Sequence, residues 1–243
     1  MEAAARREEL KTVFAQASGC TRCPQLAATR THVVFGAGNA DADVMFVGEA
    51  PGRNEDEVGL PFVGQAGKLL DQLLDGVGLQ RGDVFVANVL KCRPPQNRDP
   101  SPAEIDNCRD YLMAQLELIR PVVVCTLGNF ATKLLRGDPT GITKLRGQDE
   151  VRAIGPRVVR LLPLLHPAAA LYTPANVELL RADFGRIPEL LALGAPVQPE
   201  VAEAGLARAE PAAAASAGPA PEPERFAGPA VTEPEPAPQL GLF

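Results

Sequence analysis

Aromatic residues and long apolar runs are both scarce in this sequence. It has no tryptophan, and aromatic side chains make up only 5% of its 243 residues. No stretch approaches the roughly 20 apolar residues that a membrane-spanning helix requires. The amino-terminal segment MEAAARREELK is charged where a signal peptide would be apolar. We therefore expect a soluble cytoplasmic protein without membrane association, and the apolar fraction of 46% is sufficient for a buried core.

The cysteines do not suit a set of structural disulfides. There are five, an odd number, and disulfides are rare in the cytoplasm. Cys20 and Cys23 form a CxxC motif, and fifteen residues separate Cys92 from Cys108. Four thiolates in this pattern fit either tetrahedral zinc or an iron–sulfur cluster, and the alternative is scattered buried thiols. Cys125 lies in the apolar run VVVCTL, where we expect it to pack in the core.

Most of the acidic charge lies at the carboxyl-terminal end. The formal net charge is −6, and residues 196–243 contain seven glutamates and only two arginines. This segment is rich in alanine and proline, which predicts a domain at 1–194 followed by a disordered linker at 195–238. The domain itself is nearly neutral. Its basic residues more often form only a solvated face, but five of them could form a surface for nucleic acid: Lys91, Arg93, Arg98, Lys144 and Arg146.

Apolar strands alternate with helical segments along most of the chain. Strands are predicted at 44–49, 84–91, 122–127 and 158–165. Helices are predicted at 2–17, 65–75, 101–119, 129–136 and 175–193, the third opened by a capping box of Ser101 and Glu104. This alternation predicts an α/β fold with a mostly parallel sheet between helices. Ligands bind such sheets beyond the carboxyl ends of the strands.

Unusual polar segments lie at those predicted strand ends. The turn GEAPG presents Glu49 beside free backbone N–H groups, and PFVG brings Phe62 to the same region. Asn88 interrupts an apolar strand, where a buried amide needs partners. His166 ends another strand, whereas His32 has no comparable neighbours. Taken singly, these residues have structural explanations, namely an acidic surface loop, a core phenylalanine, an amide bonded to a loop and a structural histidine.

Taken together, these motifs resemble the family 4 uracil-DNA glycosylases. The resemblance covers about residues 8 to 192, and it is carried by Cys20-x2-Cys23, GEAPG with Glu55 and PFVG, Asn88 before KCRPP, Cys108, and HPAAAL at 166–171. It implies a three-layer α/β/α glycosylase fold with a central, mostly parallel sheet, and a monomeric enzyme of DNA base excision repair. It also implies a structural [4Fe-4S] cluster, rather than zinc, bound by Cys20, Cys23, Cys92 and Cys108.

The resemblance implies roles for the residues at the strand ends. A uracil flipped out of DNA would stack on Phe62, pair its edge with the Asn88 amide and meet backbone N–H groups around Glu49 and Ala50. His166 would stabilise the O2 atom of the departing uracil. Glu49 would stabilise the cationic sugar or the attacking water, and hydrolysis of the N-glycosidic bond would leave an abasic site.

Two departures from the wider superfamily leave roles open. Gly52 occupies the position of a tyrosine that blocks the methyl group of thymine there, so thymine must be excluded by another group, for which Glu55 is a candidate. Ala50 occupies the position of the aspartate that activates water. Glu49 therefore inherits that role by inference, with Glu55 and Asp56 as competitors. The segment 168–172 resembles the loop that replaces the flipped nucleotide, without identifying the inserted residue.

Two readings without turnover compete with the enzyme. One related branch traps uracil-containing DNA covalently through a histidine in a basic insertion, but the segment RPPQNRDPSPAEIDN at 93–107 has neither histidine nor insertion. The other reading is a cluster-bearing module that binds DNA without catalysis.

The last five residues differ sharply from the linker that precedes them. QLGLF at 239–243 resembles the pentapeptide by which bacterial DNA-metabolism proteins bind the replicative sliding clamp; a frayed apolar end is the alternative. The resemblance implies a bacterial, nucleoid-associated protein that binds the clamp through Gln239, Leu240, Leu242 and Phe243.

Overall fold

The fold is a six-stranded sheet between layers of helices, described by a computed structural model for residues 1–199. Part of the predicted linker and all of the predicted clamp-binding peptide lie outside the described residues. The strands are β1 Ala37–Gly38, β2 Val44–Gly48, β3 Val84–Asn88, β4 Val123–Leu127, β5 Glu150–Ile154 and β6 Arg157–Leu164, in the order β1-β3-β2-β4-β6-β5. The four central strands are parallel and the two edge strands antiparallel, which confirms the predicted α/β fold.

Ten α-helices occur in the described part of the chain. They are α1 Ala3–Ser18, α2 Pro24–Thr29, α3 Arg53–Val58, α4 Gln65–Asp75, α5 Pro102–Ile119, α6 Asn129–Arg136, α7 Ile142–Leu145, α8 Pro167–Tyr172, α9 Ala175–Phe184 and α10 Arg186–Ala192. None of those within residues 1–199 has the length and hydropathy needed to cross a bilayer.

The prediction of one helix at 175–193 is wrong in one respect, because the segment forms two helices. Its break falls at Gly185, between α9 and α10. Pro188 follows three residues later; it has no N–H to donate to the carbonyl of Phe184, and its ring crowds that carbonyl. The edge strands β1 and β5 and the short helices α2, α3, α7 and α8 were not predicted, and α8 includes the segment 168–172 that was expected to be a loop. The helices and β1 are too brief for a periodic signal, and β5 is a half-exposed edge strand with charged residues instead of an apolar run.

The two faces of the sheet bury separate apolar clusters. Alternate residues of β2 point to opposite faces. Met45 and Val47 pack in the cluster that includes α1 and α5, and Val44 and Phe46 pack in the cluster that includes α4, α9 and α10. All five residues of β2 are buried, as expected for a central parallel strand covered on both sides.

The predicted capping box of α5 is confirmed. The Ser101 hydroxyl accepts from the backbone N–H of Glu104, and the Glu104 carboxylate accepts from the backbone N–H of Ser101. Arg98 donates two further hydrogen bonds to that carboxylate and, through these bonds, lowers the pKa of Glu104 to about 2. The start of α5 is therefore fixed to the loop that follows β3.

The last described residues pack against the sheet. The Gln198 side chain accepts a hydrogen bond from the Val158 N–H and donates one to the Val158 carbonyl, and Arg160 donates to the Gly194 carbonyl. These contacts lie at the beginning of β6, whereas His166 follows the end of the same strand.

Candidate active site

Six residues singled out in the sequence line one pocket of about 420 Å³. The pocket lies beyond the carboxyl ends of β2, β3 and β6, and the six are Glu49, Ala50, Glu55, Phe62, Asn88 and His166. The expectation that the strand ends meet at a single site is met, while the chemical role of each residue stays a prediction.

Gly48 allows two of these side chains to lie close to the end of β2. It pairs with Asn88 across the β2–β3 ladder. A Cβ atom added at Gly48 would lie 2.4 Å from Asn88 Oδ1 and 2.9 Å from Phe62 Cζ, distances that real Cβ atoms do not adopt. Any side chain at position 48 would therefore displace the amide or the ring.

The backbone of Phe62 is held in an unusual conformation. Its φ angle is 54°, in the left-handed region that large residues rarely adopt. Arg81 donates a 2.7 Å hydrogen bond to the Phe62 carbonyl and pairs with Asp71. The Glu55 carboxylate accepts hydrogen bonds from the next two backbone N–H groups, those of Val63 and Gly64, at 3.0 Å each. These contacts outweigh the local strain and fix the ring at the pocket.

Burial keeps His166 uncharged at neutral pH. Desolvation lowers the pKa of its ring to about 4, and the nearby Glu55 opposes this only in part. The backbone N–H of Ala168 donates to Nδ1 at 3.1 Å. Since Nδ1 is an acceptor, the neutral ring carries its proton on Nε2. The ring stacks beside Phe62 with centroids 5.5 Å apart.

Glu49 and Asp56, two of the three carboxylates considered for activating water, differ in their surroundings. Glu49 is half-buried in the pocket, and burial raises the pKa of its carboxyl, with repulsion from Asp99 adding to the effect. Asp56 does not line the pocket; its buried carboxylate accepts from the backbone N–H groups of Thr31 and His32. Asp56 is thus occupied in joining α3 to the loop after α2, and His32, treated as incidental in the sequence, contacts the Asp56 carbonyl through Nδ1 at 2.9 Å.

No described residue forms a hydrogen bond with the polar atoms of the Asn88 side-chain amide. Asn88 is only 2% exposed. Its own carbonyl accepts a 2.8 Å hydrogen bond from Nζ of Lys91, a fully buried lysine. A buried amide with free donor and acceptor atoms is available to a ligand that enters the pocket.

Four of the five cysteines form a connected set. None of the five is in a disulfide. Burial raises the pKa of Cys92 and raises that of Cys108 to about 11. Repulsion among the sulfurs adds to both shifts, from Cys20 and Cys23 on Cys92 and from Cys92 and Cys23 on Cys108. Cys125 is buried within β4 and outside this set, as expected.

Hydrogen-bond donors and positive groups face these sulfurs. Arg30 donates to Cys92 Sγ at 3.2 Å, the Lys91 backbone N–H to Cys108 Sγ at 3.3 Å and the Asn107 amide to Cys23 Sγ at 3.6 Å. Burial opposes ionisation of Cys20, but hydrogen bonds from Tyr111 and Arg22 lower its pKa overall. These donors oppose the burial that raises the pKa of Cys92 and Cys108, and they would stabilise thiolates that bind a cationic group.

The described residues do not form an ordinary site for one metal ion. Among residues 1–199, no three His, Cys, Asp or Glu side chains are arranged to bind a single ion. A four-iron cluster makes a different demand, because each of its four cysteines binds a different iron atom and the ligands stand further apart.

Several residues around the site have surroundings that the sequence did not predict. Lys91 was expected at a basic surface, and this is wrong, since it is 1% exposed. Arg98 and Asn97 line the pocket mouth, where Gln96 and Asn97 have φ angles of 57° and 54°. The PPQNR pattern was a signal for a turn there. On α8, Tyr172 is 88% exposed, a bulky side chain beside the pocket.

Comparisons with known proteins agree with this geometry. A family model described as the uracil DNA glycosylase superfamily matches residues 35–186. The type-4 uracil-DNA glycosylase of Archaeoglobus fulgidus is 46% identical over 188 residues, which are 75% of this chain and 94% of that protein. The protein of the same name from Sulfurisphaera tokodaii is 44% identical, with coverage of 75% and 85%.

A bacterial relative gives the same result. The type-4 uracil-DNA glycosylase of Thermotoga maritima is 43% identical over 172 residues, which are 70% of this chain and 88% of that protein. The family model matches more than half of this chain, and the relatives match over most of their length. The chain therefore belongs to the uracil DNA glycosylase superfamily and, within it, to the type-4 uracil-DNA glycosylases.

Proposed function

We propose that this protein excises uracil from DNA by hydrolysing the N-glycosidic bond, which leaves an abasic site for base excision repair. The observation that carries the proposal is the convergence of Phe62, Asn88 and His166 on one pocket, in a chain 43–46% identical to type-4 uracil-DNA glycosylases. An enzyme that acts on a base must take it out of the stack, and this pocket offers an aromatic face and polar groups to receive it.

The polar atoms of Asn88 suit the edge of uracil. The amide N–H donates to the O4 atom and the amide oxygen accepts from N3–H, whereas cytosine presents the opposite pattern at these positions. In the orientation that presents its N–H to O4 of uracil, the amide would face like groups on cytosine, and a buried mismatch of this kind is costly. This contrast supports selection of uracil over cytosine.

His166 and Glu49 suit the charges that develop as the bond breaks. Negative charge moves onto the departing uracil, and we assign to the Nε2–H of the neutral His166 ring the donation of a hydrogen bond to O2, which its protonation on Nε2 supports. Positive charge develops on the sugar, which the Glu49 carboxylate stabilises while it orients the attacking water. The raised pKa of Glu49 makes its carboxylate a better base for that water.

Glu55 acts on the shape of the pocket rather than on the water. Its Oε1 atom accepts from two backbone N–H groups, and a Cβ added at Gly52 would lie 2.7 Å from Oε2. The carboxylate thus occupies the space that a side chain at position 52 would take. We assign to Glu55 the exclusion of the thymine methyl group.

The four cysteines Cys20, Cys23, Cys92 and Cys108 fit a [4Fe-4S] cluster. Four undisulfided thiols with N–H donors and cationic side chains around them are the chemistry that such a cluster requires. Bound there, it would cross-link the turn between α1 and α2, the loop after β3 and α5 itself. We assign it this structural role, next to the Pro94–Arg98 loop at the pocket mouth.

The exposed end of α8 supplies a bulky side chain beside the pocket. Ala170 is buried, but Leu171 and Tyr172 are 48% and 88% exposed. A side chain that fills the gap left by a flipped nucleotide has to be large and accessible. We therefore assign this role to Leu171 and Tyr172.

The terminal peptide QLGLF is proposed to bind a bacterial sliding clamp. Gln239, Leu240, Leu242 and Phe243 carry this proposal on sequence alone. Residues 200–238 separate the peptide from the last described residue, and a random coil of that length would span on the order of 35 Å. Such a tether would raise the concentration of the enzyme beside clamp-bound DNA. With the clamp as its partner, the protein is proposed to act on the nucleoid in a bacterial cytoplasm, and we propose that it acts as a monomer. Covalent trapping of DNA is not favoured, since residues 93–107 contain no histidine.

Replacing Asn88 by alanine tests the proposed function. We expect Asn88→Ala to reduce excision by a factor of about 100 to 1,000, since the buried donor and acceptor for the leaving base are lost. A labelled oligonucleotide with one uracil is incubated with enzyme, treated with alkali and run on a denaturing gel. Asn39→Ala is the matched control, because Asn39 is exposed before β2, away from the pocket. Full activity of Asn88→Ala would remove Asn88 from the pocket.

The protonation of His166 is accessible to NMR, because the chain has only two histidines. We expect the ring signal that disappears in His166→Gln to titrate near pH 4, well below the ordinary value of about 6.5. Since the folded-state pKa is lowered, the stability linked to this ring is present above pH 6.5 and is lost as the pH falls towards 4. A midpoint near 6.5 would contradict a neutral donor held by burial.

Iron content tests the cysteine assignment. We expect purified protein to contain about four irons and four sulfides per chain, with visible absorbance, and Cys23→Ala to lose most of both. Cys125→Ala is the matched control, since Cys125 is a buried cysteine outside the set. Equal loss in both variants, or no iron in either, would oppose the assignment.

Deleting residues 239–243 tests the clamp proposal. We expect the shortened chain to lose affinity for a purified bacterial sliding clamp, measured by surface plasmon resonance, while its excision rate on a free oligonucleotide is unchanged. A full-length chain in which Gln239 and Phe243 are both replaced by alanine is measured in parallel with the shortened chain. Unchanged clamp affinity of the shortened chain would end this proposal.

A further inference from the structure

Lys91 is a buried cation that neither lines the pocket nor belongs to the cysteine set. It is 1% exposed, and burial lowers the pKa of its ammonium to about 8. A lysine is almost never fully buried unless its ammonium is satisfied. Its Nζ atom donates to the Asn88 carbonyl at 2.8 Å and to Gln115 Oε1 at 2.6 Å, and it lies 5.8 Å from the centre of the Phe35 ring.

Gln115 fixes the other end of this contact. It lies on α5 and is fully buried, and its Nε2 donates to the Phe35 carbonyl at 2.9 Å. Because the amide nitrogen is used there, the amide oxygen must face Lys91. The position of Nζ is therefore set by the core of the protein and not by the loop in which Lys91 itself lies.

The contact matters because Asn88 is the last residue of β3. The peptide that follows it is held from two sides, since the Val89 N–H donates to the Gly48 carbonyl at 2.9 Å and the Asn88 carbonyl accepts from Lys91 Nζ. In the described part of the chain its amide atoms have no hydrogen bond of their own. The place of the amide then depends on where the end of β3 lies. Without the Lys91 contact the strand end would be free to shift, and a shift of the Asn88 backbone would displace the side-chain donor and acceptor from the pocket.

We propose that Lys91 is a positioning residue, which holds the Asn88 carbonyl and thereby aims the Asn88 amide at the base. The inference rests on the proposed function, since it presumes that Asn88 receives uracil. Lys91 also donates its backbone N–H to Cys108, so the residue that aims the pocket amide is attached to the cysteine set as well. A side chain of similar length without a charge, such as methionine, would fill the space and make neither bond.

A double-mutant cycle separates positioning from simple destabilisation. The variants are Lys91→Met, Asn88→Ala and the two together, each compared at equal iron content as the full chain. We expect Lys91→Met to lower the single-turnover rate of uracil excision about 100-fold, as for a small displacement of a group that orients the substrate. In the Asn88→Ala background the same change should cost less than about twofold, because the amide that it aims is gone.

A second readout distinguishes base recognition from DNA binding. We expect Lys91→Met to bind an oligonucleotide with an abasic site within about twofold of the parent chain, because no base has to be held. Lys68→Met is the matched control, since Lys68 is an exposed lysine on α4. Lys68→Met should change the excision rate by less than about twofold, both in the parent chain and in the Asn88→Ala variant.

The outcomes separate this inference from the proposed function. Full activity of Asn88→Ala would contradict the pocket assignment itself. Loss of activity in Asn88→Ala, with an equal further loss from Lys91→Met in that background, would overturn only the role of Lys91. If Lys91→Met does not fold, Gln115→Met takes its place in the cycle, because it removes one acceptor of Nζ from a helix outside the pocket. The same non-additivity is expected, and additive losses would overturn the inference.

Discussion

The pocket depends on the close approach of two parallel strand ends at Gly48 and Asn88. These residues pair in the last step of the β2–β3 ladder, and the hydrogen atom of Gly48 leaves just enough room for the Asn88 amide and the Phe62 ring. The other contacts of the site maintain this approach. Arg81 and Glu55 hold the segment of Phe62 from one side, and Lys91 holds the carbonyl of Asn88 from the other.

Under the proposed mechanism, the departing uracil anion would meet few full positive charges in the site. His166 is held as a neutral N–H donor by burial and by the hydrogen bond at Nδ1, and the amide of Asn88 is also neutral. Dipoles that are fixed before the reaction stabilise developing charge without reorganising. The positive side chains lie elsewhere, with Arg98 at the rim paired to Glu104 and Lys91 beneath the strand end.

The sequence predicts the parts of this site that follow from periodicity and strand ends. Apolar runs located the four central strands, so Asn88 and His166 could be placed at one edge of the sheet, and the CxxC motif identified the cysteine set. The contacts of Lys91, Asp56 and Glu55 could not be predicted, because each depends on a partner far along the chain or on a backbone N–H group. A charged residue in a sequence does not show whether it meets water or a buried acceptor, as Lys91 demonstrates.

The left-handed backbone of Phe62 restricts how this site can change. An aromatic residue there has to accept a φ angle of 54° as well as offer a flat face. Branched residues such as valine or isoleucine would meet a steric penalty before any loss of stacking is counted, while asparagine or glycine would relieve the backbone and remove the platform. These two constraints leave only aromatic residues suitable at this position, and a redesign for a larger base would have to rebuild the turn together with the ring.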